Sequence, residues 1–382
     1  MIEVSRRAEL LARGAAQWRD PGSTVRCEAR DALRDSPWSP AVVEAALDNV
    51  LWDLDETRAA VLVRDRAVVD PRPVLVILPG NIIGPAIASA FCAASAGASV
   101  ILKSPGIERR LAQVVARQFE ALGPPLAGTL DARYWAGGSV DVADDMFARV
   151  RRAIVFGSDD TVDAVKRRAD GIDVVAYGEA FSIGFVPADA DIDGAAREAS
   201  TDVAMFDQRG CMSPQTIYVE GDEGRALQFA RLLAGWLEHA RVDLPRAAAE
   251  PGEAALAADQ LRRLSVIALR PKTHGLDTVI VGRSGAREDA CPDFVVAVAP
   301  LGSPVHTGFG RIAIVMPCRT AADVGDAVAT FGRLLDTIGI ASAQDAPSIP
   351  IELRRAHAGR FCRLGSMQRP PFGYRPTIED FS

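Results

Sequence analysis

The sequence predicts an α/β fold in two domains, and three observations predict it. Residues 73–102 carry no charge, yet glycine and proline divide them into strand, turn, helix and strand. The remainder alternates short apolar runs with amphipathic stretches, the rhythm of helices laid across a sheet. At 382 residues, with 48% hydrophobic and 24% charged content, the chain is long enough for roughly two to three such cores.

Taken in order, residues 8–18 and 40–60 read as amphipathic helices, the second opened by Ser39 as N-cap and Pro40 as first helical residue. Residues 74–78 read as a buried parallel-type strand. Pro79-Gly80-Asn81 is the turn, 85–96 a helix of small residues that Gly97 ends, and 99–102 the next strand, closed by Lys103-Ser104-Pro105. In such βαβ units ligands bind at the carboxyl ends of strands, where Asn81 and Lys103 both fall. A transmembrane reading of the uncharged run is rejected. Pro79, Gly80, Gly84 and Pro85 break its first half, and serine and alanine dominate the second. A helix over 109–122, a strand near 133–135, a helix near 141–151 and a strand over 153–156 follow. Gly157-Ser158 then turns into a helix over 161–168, bringing main-chain N–H groups and a hydroxyl to a helix N-terminus, a natural phosphate site. Strands over 173–177 and 182–186 lead to a helical region at 188–200. The second half adds helices over 224–241 and 255–264, strands near 277–281, 294–299 and 312–316, and a helix over 321–335. The tail from Phe361 is rich in proline and glycine. The division is placed near Pro187, giving domains over 1–186 and 187–350, with a segment 351–382 expected to pack back where they meet.

Net charge of -7 and a pI near 5.3 give no general attraction for nucleic acid or for an anionic membrane. The six cysteines lie far apart without a CxxC pair and the four histidines are scattered, so neither a metal site nor a disulfide framework is expected. Charges run through the first twenty residues. No secretory signal is read there, and a reducing cytoplasm is expected. One cysteine stands apart. Cys211 lies in Phe206-Asp207-Gln208-Arg209-Gly210-Cys211-Met212-Ser213-Pro214-Gln215, a polar, turn-forming stretch in which Gly210 frees the backbone and Ser213-Pro214 stops a helix. Residues 216–219 then read as a strand that holds the loop. Taken alone, a free cysteine is more often a small buried hydrophobe, and Asn81 a turn residue bonded to its own backbone.

The βαβ unit with Gly80-Asn81 and Lys103-Ser104-Pro105, the Phe156-Gly157-Ser158 turn, the stretch Ala188-Asp189-Ala190-Asp191-Ile192-Asp193 and the later cysteine resemble the aldehyde dehydrogenase superfamily in order and spacing. Tyr177-Gly178 followed by Ser182, Asp207-Gln208 with Cys211 and Ser213-Pro214-Gln215, Leu335 with Thr337-Ile338-Gly339-Ile340, and Arg363 with Gly365, Met367 and Pro370 are similar to the LuxC-type acyl-CoA reductases. The resemblance implies a Rossmann-type nucleotide-binding domain before an α/β catalytic domain. It implies that Cys211 attacks a thioester carbonyl, expels CoA or a carrier-protein thiol, and holds the acyl group until NADPH reduces it. It assigns the oxyanion donors to the Asn81 side chain and the Cys211 N–H. It sets Lys103 beside the adenosine ribose, Ser158 against a diphosphate oxygen, and Gly80, Ser104 and Gly157 in the cofactor's surroundings. A homo-oligomer is expected, with a partner acyl-transferring subunit as a further expectation.

Two departures from the aldehyde-oxidising branch carry information. A rough alignment puts Tyr177 where those enzymes place a glutamate base, with Glu179 two residues later. Absence of a water-activating base fits reduction, because a thioester reductase must keep water out. Gly106 stands where NAD-preferring relatives often carry an acidic residue. Its loss removes a repulsion against a 2'-phosphate, for which Lys103 with Arg109 or Arg110 offers charge; a solvated helix face is the competing reading of those arginines. No GxGxxG follows a strand. His306 is a minor candidate for a general acid, since a thiol leaves with little help. Asp207 and Gln208 either orient the nucleophile loop or merely cap it. Two rival readings are an aldehyde dehydrogenase working in the oxidising direction and a non-catalytic member that binds an acyl group or carrier.

Overall fold

The computed structural model describes residues 2–63, 70–247, 251–268, 279–282, 292–303 and 310–382. They form two compact units, Met1–Glu179 with Arg369–Ser382, and Ala180–Gln368.

The first unit is built on a parallel sheet of β1 (Val74–Ile77), β2 (Val100–Lys103), β3 (Leu130–Arg133), β4 (Arg152–Phe156) and β5 (Asp173–Tyr177), in the order β3-β2-β1-β4-β5. Val74, Leu75 and Val76 are fully buried, as a central parallel strand covered on both faces requires. Strand order reverses at β1, so the crevice of an open α/β sheet opens where β1 and β4 end. The helix Pro85–Ala96 is apolar almost all round, and ten of its residues are buried. It stops at Gly97, whose φ of +77° lets its N–H reach the carbonyls of Ala93 and Ala94. The helix expected over 40–60 is two helices, Pro40–Asn49 and Glu56–Leu62. Leu51 adopts a φ of +54°, and Asp55 caps the new start by accepting from the Arg58 N–H at 2.8 Å. A further helix, Thr24–Leu33, was not read from the sequence; its fully buried Arg26 bonds Glu44 and Asp48 at 2.6 and 2.9 Å.

The second unit carries β6 (Phe181–Val186), β7 (Pro214–Glu220), β8 (Val279–Gly282), β9 (Phe294–Val298), β10 (Ile312–Cys318), β11 (Leu335–Ile340) and β12 (Arg360–Arg363), in the order β12-β11-β6-β7-β10-β9-β8. Every neighbouring pair is parallel except β8 with β9. Because β6 pairs with β7 and β11, the division falls after Glu179 and not near Pro187. The C-terminal segment is itself divided: β12 closes one edge of this sheet, while Arg369–Ser382 belongs to the first unit. The helix expected over 321–335 ends at Ala329, and all six residues of β11 are buried. Helices Ile192–Ala204 and Glu223–Asp243 cover one face of the sheet, and Ala321–Ala329 with Ile351–Arg354 the other. His306, Cys291 and the beginning of the strand expected near 277 lie outside the described residues. Among the described residues no helix is long and apolar enough to cross a membrane, and no cluster of side chains suits a metal ion.

Candidate active site

In the second unit, Cys211 lies on the turn that enters β7, at the amino ends of parallel strands. That is the opposite end from the one where ligand loops of open sheets usually gather. Helix Ile192–Ala204 runs into Phe206, Asp207 and Gln208, whose φ values of 53°, 52° and 60° are all left-handed. Such a conformation costs about 1–3 kcal/mol per residue without a glycine, so surrounding bonds must impose it. They are present. The buried Asp207 carboxylate takes the Arg311 Nε–H at 2.7 Å and the Ala247 N–H at 3.0 Å, while its carbonyl accepts from Gly310 N–H at 2.9 Å. Gln208 donates to the carbonyls of Pro214 and Ile312 and accepts from the Ile312 N–H, bridging the starts of β7 and β10. Ser213 N–H closes the turn on the Gly210 carbonyl at 3.0 Å. The Cys211 carbonyl accepts from Ser182 Oγ at 2.7 Å, and that oxygen is held by the Thr337 N–H at 3.1 Å.

Cys211 itself is half-buried. Burial pushes the pKa of the Cys92 thiol well up, and those of Cys318 and Cys362 to about 12. Held protonated, these three are poor nucleophiles. Cys27 is exposed beside Arg30 on the second helix.

In the first unit the residues chosen from the sequence gather at the carboxyl ends of β1, β2 and β4. A cleft there is lined by Gly80, Ile83, Gly84, Pro105, Ile107 and Glu108. A Cβ on Gly80 would meet Ile107 Cγ2 at 3.1 Å, so a side chain there would have to push the Ile107 side chain aside. Asn81 is exposed on the same turn. Lys103 is half-buried with its ammonium 5.9 Å from the Trp135 ring, and burial lowers its pKa. Ser104 is buried and its N–H donates to the Arg133 carbonyl at 2.8 Å. Ser158 caps the helix Asp159–Arg168, accepting from the Thr161 N–H at 3.4 Å, and a Cβ on Gly157 would meet Thr161 at 3.1 Å. Arg109 lies over the Tyr134 ring at 4.0 Å, and Arg110 donates to the Asp31 and Ala32 carbonyls at the end of helix Thr24–Leu33. Both are exposed, and Arg109 Nε also donates to the Gly106 carbonyl at 3.2 Å. Glu108 is new here: its Oε1 accepts from the N–H groups of Arg110 and Leu111, and burial raises its pKa.

Tyr177, at the end of β5, donates its hydroxyl to Asp380 Oδ2 at 2.5 Å and stacks on Phe156 with ring centroids 4.8 Å apart. Burial, reinforced by Asp380, pushes its pKa up, so it stays a phenol. Glu179 is exposed, and its N–H is taken by Asp159 Oδ1 at 3.1 Å.

The model of the acyl-CoA reductase (LuxC) family matches residues 60–375. The chain belongs to the LuxC acyl-CoA reductase family. It is 29% identical over 116 residues to the long-chain acyl-protein thioester reductase of Vibrio harveyi, covering 29% of this chain and 24% of that protein. Over 182 residues it is 26% identical to the reductase of the same name from Photorhabdus laumondii, covering 45% of this chain and 38% of the relative. These matches thus span well under two thirds of the relatives' length. Among solved structures it is similar to an NAD-dependent benzaldehyde dehydrogenase from Corynebacterium glutamicum, with a TM-score of 0.72, 18% identity, and coverage of 99% of this chain and 84% of that one. A putative methylmalonate-semialdehyde dehydrogenase from Sinorhizobium meliloti gives 0.71 at 15% identity, covering 97% and 79%. The fold is that of the aldehyde dehydrogenases.

The LuxC-like motifs in the sequence lead to Cys211, Gln208 and Ser182, which the second unit brings together, and the aldehyde-dehydrogenase-like ones to Gly80, Lys103, Gly157 and Ser158, which the first unit brings to one end of its sheet. The partners Arg311 and Gln368 were missed. They stand 104 and 155 residues from the groups they bond, and no local pattern announces such a pairing.

Proposed function

We propose that this LuxC-family chain reduces an acyl thioester, carried by CoA or by an acyl carrier protein, to an aldehyde with NADPH through a thioacyl intermediate on Cys211. The observation that carries the reading is the Cys211 turn. A half-buried thiol stands on a turn just after three left-handed residues that a buried ion pair and a bridging glutamine enforce, and burial holds the thiols of Cys92, Cys318 and Cys362 protonated. The Cys211 thiolate adds to the thioester carbonyl, and the carrier thiolate leaves and takes up a proton. The Cys211 N–H is one donor to the oxyanion; Asn81, on the first unit, stays a second candidate carried by the family pattern. Losing one such donor costs about 10²–10³ in rate.

Three features support a dinucleotide on the first unit: the reversal of strand order at β1, Ser158 beside Gly157 at a helix N-terminus, and the Lys103 ammonium at the end of β2. When bound, NADPH supplies the two electrons and the hydrogen that convert the thioacyl group to an aldehyde and free the cysteine thiolate. Ser104 is buried with its N–H in the ladder, so Lys103 is the member of that motif suited to meet the cofactor. Tyr177 supports reduction over hydrolysis, because a phenol tied to Asp380 activates no water.

The test is incubation with a long-chain acyl-CoA in the absence of NADPH. The expected product is protein heavier by one acyl group on the peptide carrying Cys211, discharged as aldehyde when NADPH is added, with none formed by Cys211→Ala. Rapid release of free acid without NADPH would show a hydrolytic aldehyde dehydrogenase. A bound acyl group that NADPH never discharges would show a binding protein.

A further inference from the structure

We propose that Gln368 is a positioning residue for the Cys211 nucleophile, acting through the Ser213 hydroxyl; this rests on the reading of Cys211 given above. Gln368 Nε2 donates to Ser213 Oγ at 2.8 Å. Ser213 is fully buried, and its N–H closes the turn that contains Cys211. Ser182 also holds the turn, at the Cys211 carbonyl, so groups distant in sequence grip it from separate elements.

The segment that presents Gln368 is fixed beyond what an irregular connection needs. Asp202, buried on helix Ile192–Ala204, accepts from the Gly365 N–H at 2.5 Å and the Met367 N–H at 3.0 Å, and also bonds the Gln368 main chain. Arg360 donates to the Met367 carbonyl, and Arg363 pairs with Glu198. Met367 packs into space that only a glycine leaves on β11, since a Cβ on Gly339 would stand 2.5 Å from its sulfur. Helix, arginines and sheet therefore converge on four residues whose last member reaches toward the nucleophile turn. A rigid support of this kind keeps a reacting group in register, where a displacement of about 1 Å costs up to about a hundredfold in rate.

The experiment uses the full chain with Gln368→Ala, Ser213→Ala, their double variant, and the near-isosteric Gln368→Glu. Two quantities are read: the pH profile of iodoacetamide alkylation at Cys211, located by peptide mass, and kcat and KM for reduction of a long-chain acyl-CoA. Gln368→Glu replaces the donor with an acceptor to which the Ser213 hydroxyl can donate in turn, and adds a negative charge beside the turn, so the alkylation midpoint is expected to rise by about one pH unit. Gln368→Ala and Ser213→Ala are each expected to lower kcat about ten- to hundredfold with KM within about twofold, and the double variant to fall no further than the worse single. An unshifted alkylation midpoint in Gln368→Glu, or single losses that multiply in the double variant, overturns the proposal. The alkylation readout needs no acyl substrate. A chain that reduces no thioester yet shows the shift refutes the proposed reaction and supports the positioning role; a chain that reduces thioesters with Gln368→Ala unimpaired refutes the positioning role alone.

Discussion

Cys211 differs from Cys92 and Cys318 in surroundings and not in chemistry: it is half-buried on a turn, whereas those two are enclosed in a core, and the half-buried Cys362 sits on a strand and not on a turn. Burial makes a thiol harder to ionise because the anion loses its hydration. The same physics acts on Asp202, whose carboxyl is pushed up to about 7 by complete burial in spite of the main-chain N–H groups and Arg360 around it. Its folded pKa then lies above the unfolded value of about 3.9, so the native state holds the extra proton. The stability from this group is whole below about pH 4 and is lost as pH rises through about 7. Chemical denaturation at pH 5 and pH 8 should show the wild type losing stability between the two, with Asp202→Asn reducing that loss. An Asp202→Asn variant with an unchanged slope would remove Asp202 as its source.

At the scale of elements, the nucleophile turn is held by packing and ion pairing against its own backbone preference. Three consecutive left-handed residues without glycine persist because Asp207 and Arg311 are both almost wholly enclosed and bonded at 2.7 Å. Removing one member leaves the other charge buried alone. Arg311→Ala and Asp207→Ala are each expected to destabilise the chain by about 3–5 kcal/mol in denaturant titrations, and the double variant by less than the sum. Additive losses would mean that the two side chains act separately. β11, a strand not assigned from the sequence, shows the same dominance of tertiary context. The helix expected from the sequence runs to Leu335 and leaves 336–340 unassigned, and the place of Leu335–Ile340 between β6 and β12 decides for strand.

For the whole molecule, the open question is which dinucleotide the first unit prefers. No acidic side chain stands at Gly106, and the half-buried Lys103 ammonium at the end of β2 is the cation we propose to favour a 2'-phosphate, with the exposed Arg109 bonded to the Gly106 carbonyl. A charged contact of this kind contributes about 1.5–3 kcal/mol, roughly ten- to hundredfold in affinity. The ratio of kcat/KM for NADPH over NADH should exceed unity and collapse in Lys103→Ala; equal use of the two cofactors by the wild type would refute the assignment.

The sequence by itself determined the βαβ unit at Pro73–Leu102, the singular context of Cys211 and the family, because each is written in neighbouring residues through periodicity, turn chemistry or a short motif. Only the tertiary structure decided that β6 belongs to the second sheet, that Tyr177 is tied to Asp380, and that Asp207 and Ser213 meet Arg311 and Gln368. Those pairings join groups more than a hundred residues apart or strands adjoining in space, and the free energy that selects them comes from burial and from satisfying buried polar groups, which exist only once the chain has folded.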